Sequence, residues 1–312
     1  MEKIRLGVSA CLLGQKVRYD GGHKWDRYLT GTLGRYLQLV PVCPEVELGL
    51  GVPREATRLE GDPASPRLVT VETRVDRTEA MRGWAQGRVK GLERQDLCGF
   101  IFKSRSPSCG LAGLPVYGPK GRKRGVGLFA QAFVEHFPGL PVMDEVRLHD
   151  PDLRENFIQR LFVCARWREL LKRPSLGRLT AFHTRHRLQL MSHSPRHLRL
   201  LEKLLAPGKA VPLPELCRQY QELLFAALKL KATPGKDTKV LYHLLAQLKK
   251  SLSADEKQEL VESIENYRQG AFPLLVPVSL INHYVRQYGQ VYLKEQFYLH
   301  PHPLELMLRH HA

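Results

Sequence analysis

Residues 4–14 read IRLGVSACLLG, an apolar, strand-like run that stops at a cysteine and a glycine-containing turn. The same pattern occurs twice more, because residues 37–42 lead into Cys43 and residues 97–103 approach Cys109. In an open α/β sheet the carboxyl ends of the strands gather at one edge, which is where such folds bind ligands. We therefore expect three thiols that are far apart in sequence to meet at one point.

Strands and helices alternate up to about residue 150, which predicts a mostly parallel sheet with helices on both faces. The helices predicted in this part span residues 25–39, 74–94, 126–137 and 151–171. Short strands are predicted at residues 99–102 and 141–146. We expect this α/β domain to occupy residues 1–173.

The rest of the chain, residues 174–312, is predicted to form an all-α domain. Runs of β-branched residues largely disappear after Pro174, and leucine and charged residues recur at helical spacing. The predicted helices span residues 176–193, 195–205, 213–231, 237–252 and 255–269.

The chain has 312 residues and a formal net charge of +17. Residues 151–312 carry 25 Lys/Arg against 14 Asp/Glu, whereas residues 1–150 carry 23 against 17. Such an excess indicates nucleic acid or an anionic membrane as a partner. However, no apolar run reaches the length of about eighteen residues that crosses a bilayer, and the N-terminus lacks the features of a secretory signal. Six cysteines in such a chain are interpreted as thiols, so we expect a cytoplasmic protein that is not in a membrane.

The six cysteines divide into two groups. Three stand in apolar strand or helix patterns and are interpreted as small buried side chains: Cys98, Cys164 and Cys217. Of these three, only Cys98 is also a candidate for a functional site. The three strand-end cysteines stand instead in Gly-, Pro- or Ser-containing turns: Cys11, Cys43 and Cys109. From the residues alone an iron–sulfur cluster, a zinc site and plain thiols have comparable weight. The sequence has no C-x-x-C pair to favour structural zinc, and no histidine close to these motifs favours a cysteine nucleophile.

Three sequence blocks decide between these alternatives: SACLLGQKVRYDGGHK from residue 9, VPVCPE from residue 40 and FKSRSPSCG from residue 102. In this order they resemble the thiouracil desulfidase family, known as TudS, over about residues 3–150. The resemblance implies that Cys11, Cys43 and Cys109 hold a 4Fe–4S cluster. The fourth iron of that cluster would be free to take the sulfur of a thiolated pyrimidine.

The same resemblance implies the catalytic groups. Glu45 matches the family's catalytic carboxylate and Ser106 its catalytic serine, with Ser108 as a second candidate. Water would add at C4 of the pyrimidine while Glu45 relays a proton. The sulfur would leave on the cluster and be released as hydrosulfide, without net redox change, so the enzyme would be a hydrolytic desulfidase.

Residues 178–295 resemble the YbgA-like domain through RLTAFHTRHR at residues 178–187 and LMSH at residues 190–193. We interpret the histidines of this segment as core and surface residues and not as a metal site. Its basic face is better explained by phosphate binding, with Arg185 and Arg187 as candidate RNA contacts.

Fused in this order, the two halves resemble RudS-type proteins, which remove sulfur from 4-thiouridine in tRNA. We expect tRNA as a partner because each neutralised phosphate adds affinity, whereas a free nucleobase has no phosphate. The candidate RNA contacts of the first domain flank the third cysteine motif or lie in a loop at residues 120–124: Lys103, Arg105, Arg122, Lys123 and Arg124. An enzyme acting on a base takes it out of the stack. Trp25, Tyr19 and Tyr117 are candidates to stack on such a base, and each is better interpreted as a packing residue.

Two alternatives remain open. The chain could be a desulfidase of free thiopyrimidines whose helical half stabilises or dimerises the enzyme. It could also be a non-catalytic nucleic-acid-binding protein with a structural metal. The sequence predicts no particular oligomeric state.

Overall fold

A computed structural model describes residues 3–119, 121–206, 211–303 and 306. The chain divides into two compact units, the first running to Ala165 and the second beginning at Arg166. Each unit has a hydrophobic core of its own. The division lies inside the helix that spans residues 151–171, whereas the domain boundary expected from the sequence follows that helix at residue 173.

The described part of the first unit contains eight strands: β1 (Ile4–Ser9), β2 (Leu37–Val42), β3 (Thr57–Glu60), β4 (Arg67–Thr70), β5 (Phe100–Phe102), β6 (Leu114–Gly118), β7 (Gly121–Gly125) and β8 (Val142–Asp144). Its helices are α1 (Gly34–Tyr36), α2 (Pro44–Glu47), α3 (Thr78–Glu93), α4 (Leu128–His136) and α5 (Glu145–Leu148). The long helix α6 (Pro151–Leu171) contains the point of division between the units.

Four strands form a parallel sheet in the order β2-β1-β5-β8. Five of the six residues of β1 are buried, as expected for an interior strand of a parallel sheet with an almost continuous apolar sequence. Gly7 of β1 allows the neighbouring strand to pack closely, because a Cβ atom there would lie 2.2 Å from the Phe100 ring. The predicted α/β fold class with its parallel sheet is therefore confirmed.

Helix α4 packs on this sheet through aromatic side chains. The ring centroids of Phe129 and Phe100 are 5.7 Å apart, and those of Phe133 and Phe102 are 5.5 Å apart. All four rings are fully buried. Because burying each such side chain is worth about 1.5–3 kcal/mol, this contact holds the start of α4 near the strand ends.

A second four-stranded sheet is not predicted by the sequence analysis. Its order is β4-β3-β6-β7, with β3 parallel to β6 and the other two pairs antiparallel. The buried side chains of its core face include Leu59, Leu68, Leu114 and Val116. The loop predicted at residues 120–124 is wrong, because β7 pairs with β6 along its length. Lys120, which belongs to that predicted loop, lies outside the described residues.

The helix predicted over residues 25–39 is also wrong. The structure has a π-helical turn at Leu29–Leu33, then the single turn α1, and β2 already begins at Leu37. Asp26 accepts a hydrogen bond from the Leu29 backbone N–H at 2.8 Å, so the helical segment starts late. Pairing of β2 with β1 ends it early, because burial in the sheet outweighs the local helical pattern.

The second unit is helical, as predicted. Its helices beyond α6 are α7 (Leu176–His193), α8 (Pro195–Leu204), α9 (Leu213–Lys229), α10 (Pro234–Leu248), α11 (Ala254–Arg268), α12 (Leu275–Gln287) and α13 (Val291–Lys294). The helices α7 to α11 lie close to the predicted positions, whereas α12 and α13 are not predicted. Leu241, Leu260 and Ile281 lie in the core that α10, α11 and α12 share. Within the described ranges, no helix combines the length and the hydropathy that a membrane crossing requires.

Candidate active site

Three strand ends bring the predicted cysteines to one cavity. Cys11 lies in a 3-10 turn directly after β1, Cys43 stands between β2 and α2, and Cys109 follows β5. All three line a cavity of about 730 Å³ in the first unit. The cysteines interpreted as buried side chains are buried and are not among its lining residues: Cys98, Cys164 and Cys217.

The turn that carries Cys11 is closed by backbone hydrogen bonds. Gly14 ends it in the left-handed region, at φ 86°, and its N–H donates to the Cys11 carbonyl at 3.3 Å. The same carbonyl accepts the N–H of Lys24 at 2.9 Å. The segment between these residues therefore folds back over Cys11, and Lys24 joins the cavity lining.

Cys43 is held at both of its backbone groups. Its N–H donates to Glu47 Oε1 at 3.1 Å, and its carbonyl accepts the Glu47 N–H at 2.9 Å. Pro44 occupies the first position of α2, where a missing N–H costs nothing, so the helix can start directly after the cysteine. The Cys43 sulfur lies 3.8 Å from the Val17 carbonyl oxygen.

Cys109 lies in a loop that Ser106 and the start of α4 hold in place. Ser106 Oγ accepts the N–H groups of Ser108 at 3.3 Å and Cys109 at 3.1 Å. At the start of α4, the N–H groups of Phe129 and Ala130 donate to the Ser108 carbonyl at 3.0 and 3.2 Å. Two N–H groups at the start of α4, which have no acceptor within the helix, thus bind a carbonyl of the loop that contains Cys109.

Gly127 permits this contact between α4 and the loop. A Cβ atom at Gly127 would lie 2.6 Å from the carbonyl carbon and oxygen of Ser108 and 2.9 Å from the Cys109 nitrogen. The sequence does not indicate this role of Gly127, because a single glycine before a helix does not show which backbone will approach it.

The surroundings favour protonated thiols. Burial raises the pKa of Cys11 to about 11, with a smaller increase from Cys43 and a decrease from Lys103. Burial likewise raises the pKa of Cys43, and it raises the pKa of Cys109 well above its usual range despite a hydrogen bond from Ser9 that lowers it. At neutral pH the sulfurs therefore keep their protons unless a metal replaces them, so metal binding here is coupled to proton release.

Glu45, in the first turn of α2, lines the cavity and is bound at both carboxylate oxygens. The Ser108 hydroxyl donates to Oε1 at 2.9 Å, and Arg54 Nε donates to Oε2 at 3.0 Å, with Arg54 Nη2 on the same oxygen. Arg54 also donates to the carbonyls of Gly51 and Val17, each at 2.9 Å. Because its side chain is only 7% exposed, Arg54 holds the carboxylate in one orientation.

Lys103, predicted as a substrate or RNA contact, lies in the cavity lining and is bound there by Glu145 and Ser104. Its ammonium contacts Glu145 and donates to the Ser104 carbonyl at 2.8 Å. The Ser104 N–H and hydroxyl both donate to Glu145, each at 2.6 Å. Burial raises the pKa of Glu145, but the hydrogen bonds from Lys103 and Ser104 outweigh it and hold the pKa below its usual value.

The two candidate serines differ in position. Ser106 lines the cavity, whereas Ser108 is fully buried and reaches Glu45. Arg105 lines the cavity as well, and it is exposed, with a left-handed φ of 55°. Tyr19 is an aromatic stacking candidate that lies in the lining.

The other predicted RNA contacts lie outside the cavity lining. Three are exposed on β7: Arg122, Lys123 and Arg124. Two lie on α7 and have carboxylate partners, since Arg185 contacts Glu295 at 3.3 Å and Arg187 contacts Glu202 at 3.0 Å.

The side chains of the lining can balance the charge of three thiolates. Cations outnumber carboxylates in it, with Arg18, Lys24, Arg54, Lys103 and Arg105 against Glu45 and Glu145. Three thiolates would bring the formal charge of this set to zero. Among the residues that the structure describes, no three His, Cys, Asp or Glu side chains stand close enough together for one metal ion. Three thiols on the lining of one cavity have the ligand chemistry that an iron–sulfur cluster or a soft metal ion requires.

Two family models match separate parts of the chain. The sequence model of the family described as 2-thiouracil desulfurase matches residues 6–145, and that of a family described as a protein of unknown function (DUF1722) matches residues 187–303. The protein YbgA of Escherichia coli (strain K12), described as uncharacterized, is 31% identical over 135 residues, which are 43% of this chain and 80% of YbgA. The chain belongs to the YbgA family and carries a TudS-like domain before the YbgA-like domain.

A solved structure described as the 4Fe-4S-dependent thiouracil desulfidase TudS is 33% identical to this chain. The match covers 47% of this chain and 93% of that structure, with a TM-score of 0.38. All residues that line the cavity lie between Ser9 and Val146, within or next to the segment matched by the desulfurase family. The match of the 2-thiouracil desulfurase model to residues 6–145 supports desulfidase activity, the removal of sulfur from a substrate, for the domain that contains the cavity.

Proposed function

We propose that this chain is an iron–sulfur-dependent desulfidase that converts 4-thiouridine in tRNA to uridine. The observation that carries the proposal is a single cavity of the TudS-like domain, lined together by Cys11, Cys43, Cys109 and Glu45. These residues come from three separate strand ends and are those that the family resemblance implies. The net reaction replaces C=S by C=O with water and releases hydrosulfide, so it needs no oxidant or reductant.

Cys11, Cys43 and Cys109 are proposed to hold a 4Fe–4S cluster. With three thiolate ligands one iron lacks a protein ligand and, when the cluster is bound, supplies a soft acceptor for a thiocarbonyl sulfur. The cations of the lining balance the charge of the thiolates. Ser9 adds a hydrogen bond to the Cys109 sulfur.

Glu45 is proposed to move the proton. A carboxylate has about four lone-pair positions, and Arg54 occupies two on Oε2 while Ser108 occupies one on Oε1. The remaining position on Oε1 can accept a proton from the attacking water and return it to the ring nitrogen or to the departing sulfur. Ser108 then acts by orienting Glu45, whereas Ser106, in the lining, is the serine that can touch the substrate.

The charge of the chain supports tRNA as the substrate. A net charge of +17, with the larger excess in the second half, exceeds what a free nucleobase requires. RNA phosphates would convert this charge into salt-dependent affinity through counterion release. Arg105, which is exposed at the cavity, is a candidate to contact the RNA next to the extruded base.

The test compares kcat/KM on thiolated tRNA and on free 4-thiouracil, with protein prepared without oxygen. The proposal expects the higher kcat/KM on tRNA, falling as salt is added, while the value for the free base changes little. A higher kcat/KM on the free base would refute tRNA as the substrate. Protein that contains iron and sulfide but turns over neither substrate would refute the enzymatic proposal altogether.

A desulfidase of free thiopyrimidines is the second candidate. It is supported by the location of the cavity lining, which lies entirely in the first unit. It is also supported by Arg185 and Arg187, whose charges are balanced by glutamates. Under this alternative the YbgA-like domain would stabilise or dimerise the enzyme.

A further inference from the structure

We infer that RNA binds to the outer face of the second sheet, the face that carries Tyr117, Arg122 and Arg124. This inference rests on the proposed function and names the surface that would hold the RNA beside the cavity. The strand register shows which side chains share the face, because directly paired residues point to the same side of a sheet. Tyr117 pairs with Arg122 and Pro115 pairs with Arg124, whereas Lys123 pairs with Val116, a residue of the core face.

Tyr117 holds two guanidinium groups over its ring. The guanidinium carbon of Arg58 lies 5.1 Å from the ring centroid, and that of Arg122 lies 5.0 Å from it. The ring therefore supports two cations through cation–π contacts. Arg58 is ion-paired with Glu60, whereas Arg122, among the described residues, is held only by the ring and loses less freedom on binding phosphate, which a guanidinium can contact through two hydrogen bonds.

The cations of β7 are available for an anionic partner. The described residues place no carboxylate within ion-pair distance of Arg122, Lys123 or Arg124, in contrast to Arg185 and Arg187 on α7. On the same face, Glu60 is already occupied by Arg58 and Arg74. The outer face therefore keeps a positive charge. The two ion-paired arginines of α7, Arg185 and Arg187, serve as the control for the two arginines of this face.

The face is connected to the cavity through β3. Ala56 and Thr57 line the cavity, and Arg58 is the next residue along the strand. Because β6 and β7 follow β3 in the sheet, β7 lies about two strand spacings, or roughly 10 Å, from β3. A free nucleobase in the cavity cannot span this distance, whereas a polynucleotide chain can.

The experiment measures binding of unmodified tRNA to the full chain by fluorescence anisotropy over a range of salt concentrations. The variants are the double variant Arg122→Gln/Arg124→Gln on the outer face and Lys123→Gln on the other side of the same strand. We expect the double variant to reduce the log–log salt slope by about 0.7–0.9 for each phosphate that is no longer neutralised, and thus by about 1.4–1.8 if each arginine binds one phosphate. We expect Lys123→Gln to reduce the slope by less than half as much.

Several results would overturn the inference. An unchanged salt slope in the double variant would overturn it. A reduction of the slope in Lys123→Gln or in Arg185→Gln/Arg187→Gln that equals the reduction in the double variant would also overturn it, because the overall charge of the chain would then explain binding. Since Arg122 also packs on Tyr117, Arg124→Gln alone keeps the test independent of folding. Wild-type protein that shows no salt-dependent tRNA binding but turns over 4-thiouracil would refute the proposed tRNA function itself, which is a distinguishable outcome.

Discussion

Replacing Glu45 by Gln tests the proton transfer most directly. Gln keeps the size of the side chain and can accept the hydrogen bond from Ser108, but it cannot take up a proton at Oε1. A general acid–base group contributes about 10²–10⁴-fold to turnover. We therefore expect kcat on 4-thiouracil to fall by that factor while the visible absorbance of the cluster stays unchanged.

The structure sets the size of the competing effect on stability. Glu45→Gln removes the charge partner of Arg54, whose side chain is 7% exposed, and breaking a buried pair costs about 3–5 kcal/mol. Because Arg54 keeps the carbonyls of Gly51 and Val17 as acceptors, we expect Glu45→Gln to lower the free energy of unfolding by only about 1–3 kcal/mol. From a total stability of about 5–15 kcal/mol this leaves most of the protein folded, so unfolding cannot produce a hundredfold loss of turnover.

Glu60→Gln is the matched control for Glu45→Gln. Glu60 is also a largely buried glutamate bound by arginines, with Arg58 at 2.7 Å and Arg74 at 2.5 Å, but it does not line the cavity. Thermal unfolding should show a comparable loss of stability in both variants, whereas only Glu45→Gln should lose turnover on 4-thiouracil. Near wild-type kcat in Glu45→Gln, or an equal loss of kcat in Glu60→Gln, would refute the proton-transfer role.

Three further predictions concern the cavity and the helical unit. Cys43→Ala should abolish iron binding after anaerobic reconstitution with iron and sulfide, whereas Cys217→Ala should retain it; a cluster that survives in Cys43→Ala would contradict the ligand assignment. Gly127→Ala should lower iron content by displacing the loop of the third thiol, while Gly83→Ala in α3, where a Cβ meets nothing within 4 Å, should leave it unchanged. Burial raises the pKa of Asp237 to about 6. The folded state therefore holds a proton on Asp237 at a pH where the unfolded state has lost it. The free energy of unfolding should fall as pH rises from about 4 through 6, by on the order of 3 kcal/mol. Denaturant unfolding of Asp237→Asn at several pH values should lack this fall, and an unchanged pH profile would contradict the assignment.

Patterns of local hydrophobicity predict much of the secondary structure. The helix predicted at residues 176–193 is observed over that range, because its apolar residues recur with the helical period and Ser175 caps it. The helix predicted at residues 25–39 fails because its last residues pair with β1. The same kind of competition turns the loop predicted at residues 120–124 into β7.

The sequence by itself determines the convergence of the three thiols. Apolar runs that stop at Cys11, Cys43 and Cys109 predict strand ends, and parallel strands place their carboxyl ends at one edge. Both steps need only the local order of residues along the chain. The motifs around these cysteines also carry the family resemblance, so the amino-acid sequence alone is enough to identify the candidate ligands and Glu45.

Only the tertiary structure decides what each charged group contacts. Arg54 binds Glu45, Lys103 meets Glu145, and Arg185 is paired with Glu295, which lies 110 positions away in sequence. No local pattern contains these pairs, because they depend on strand order, on the second sheet and on how helices pack. The physical reason is that hydrophobic periodicity records whether a side chain is buried, whereas an ion pair or a close glycine contact depends on which distant residue arrives opposite it.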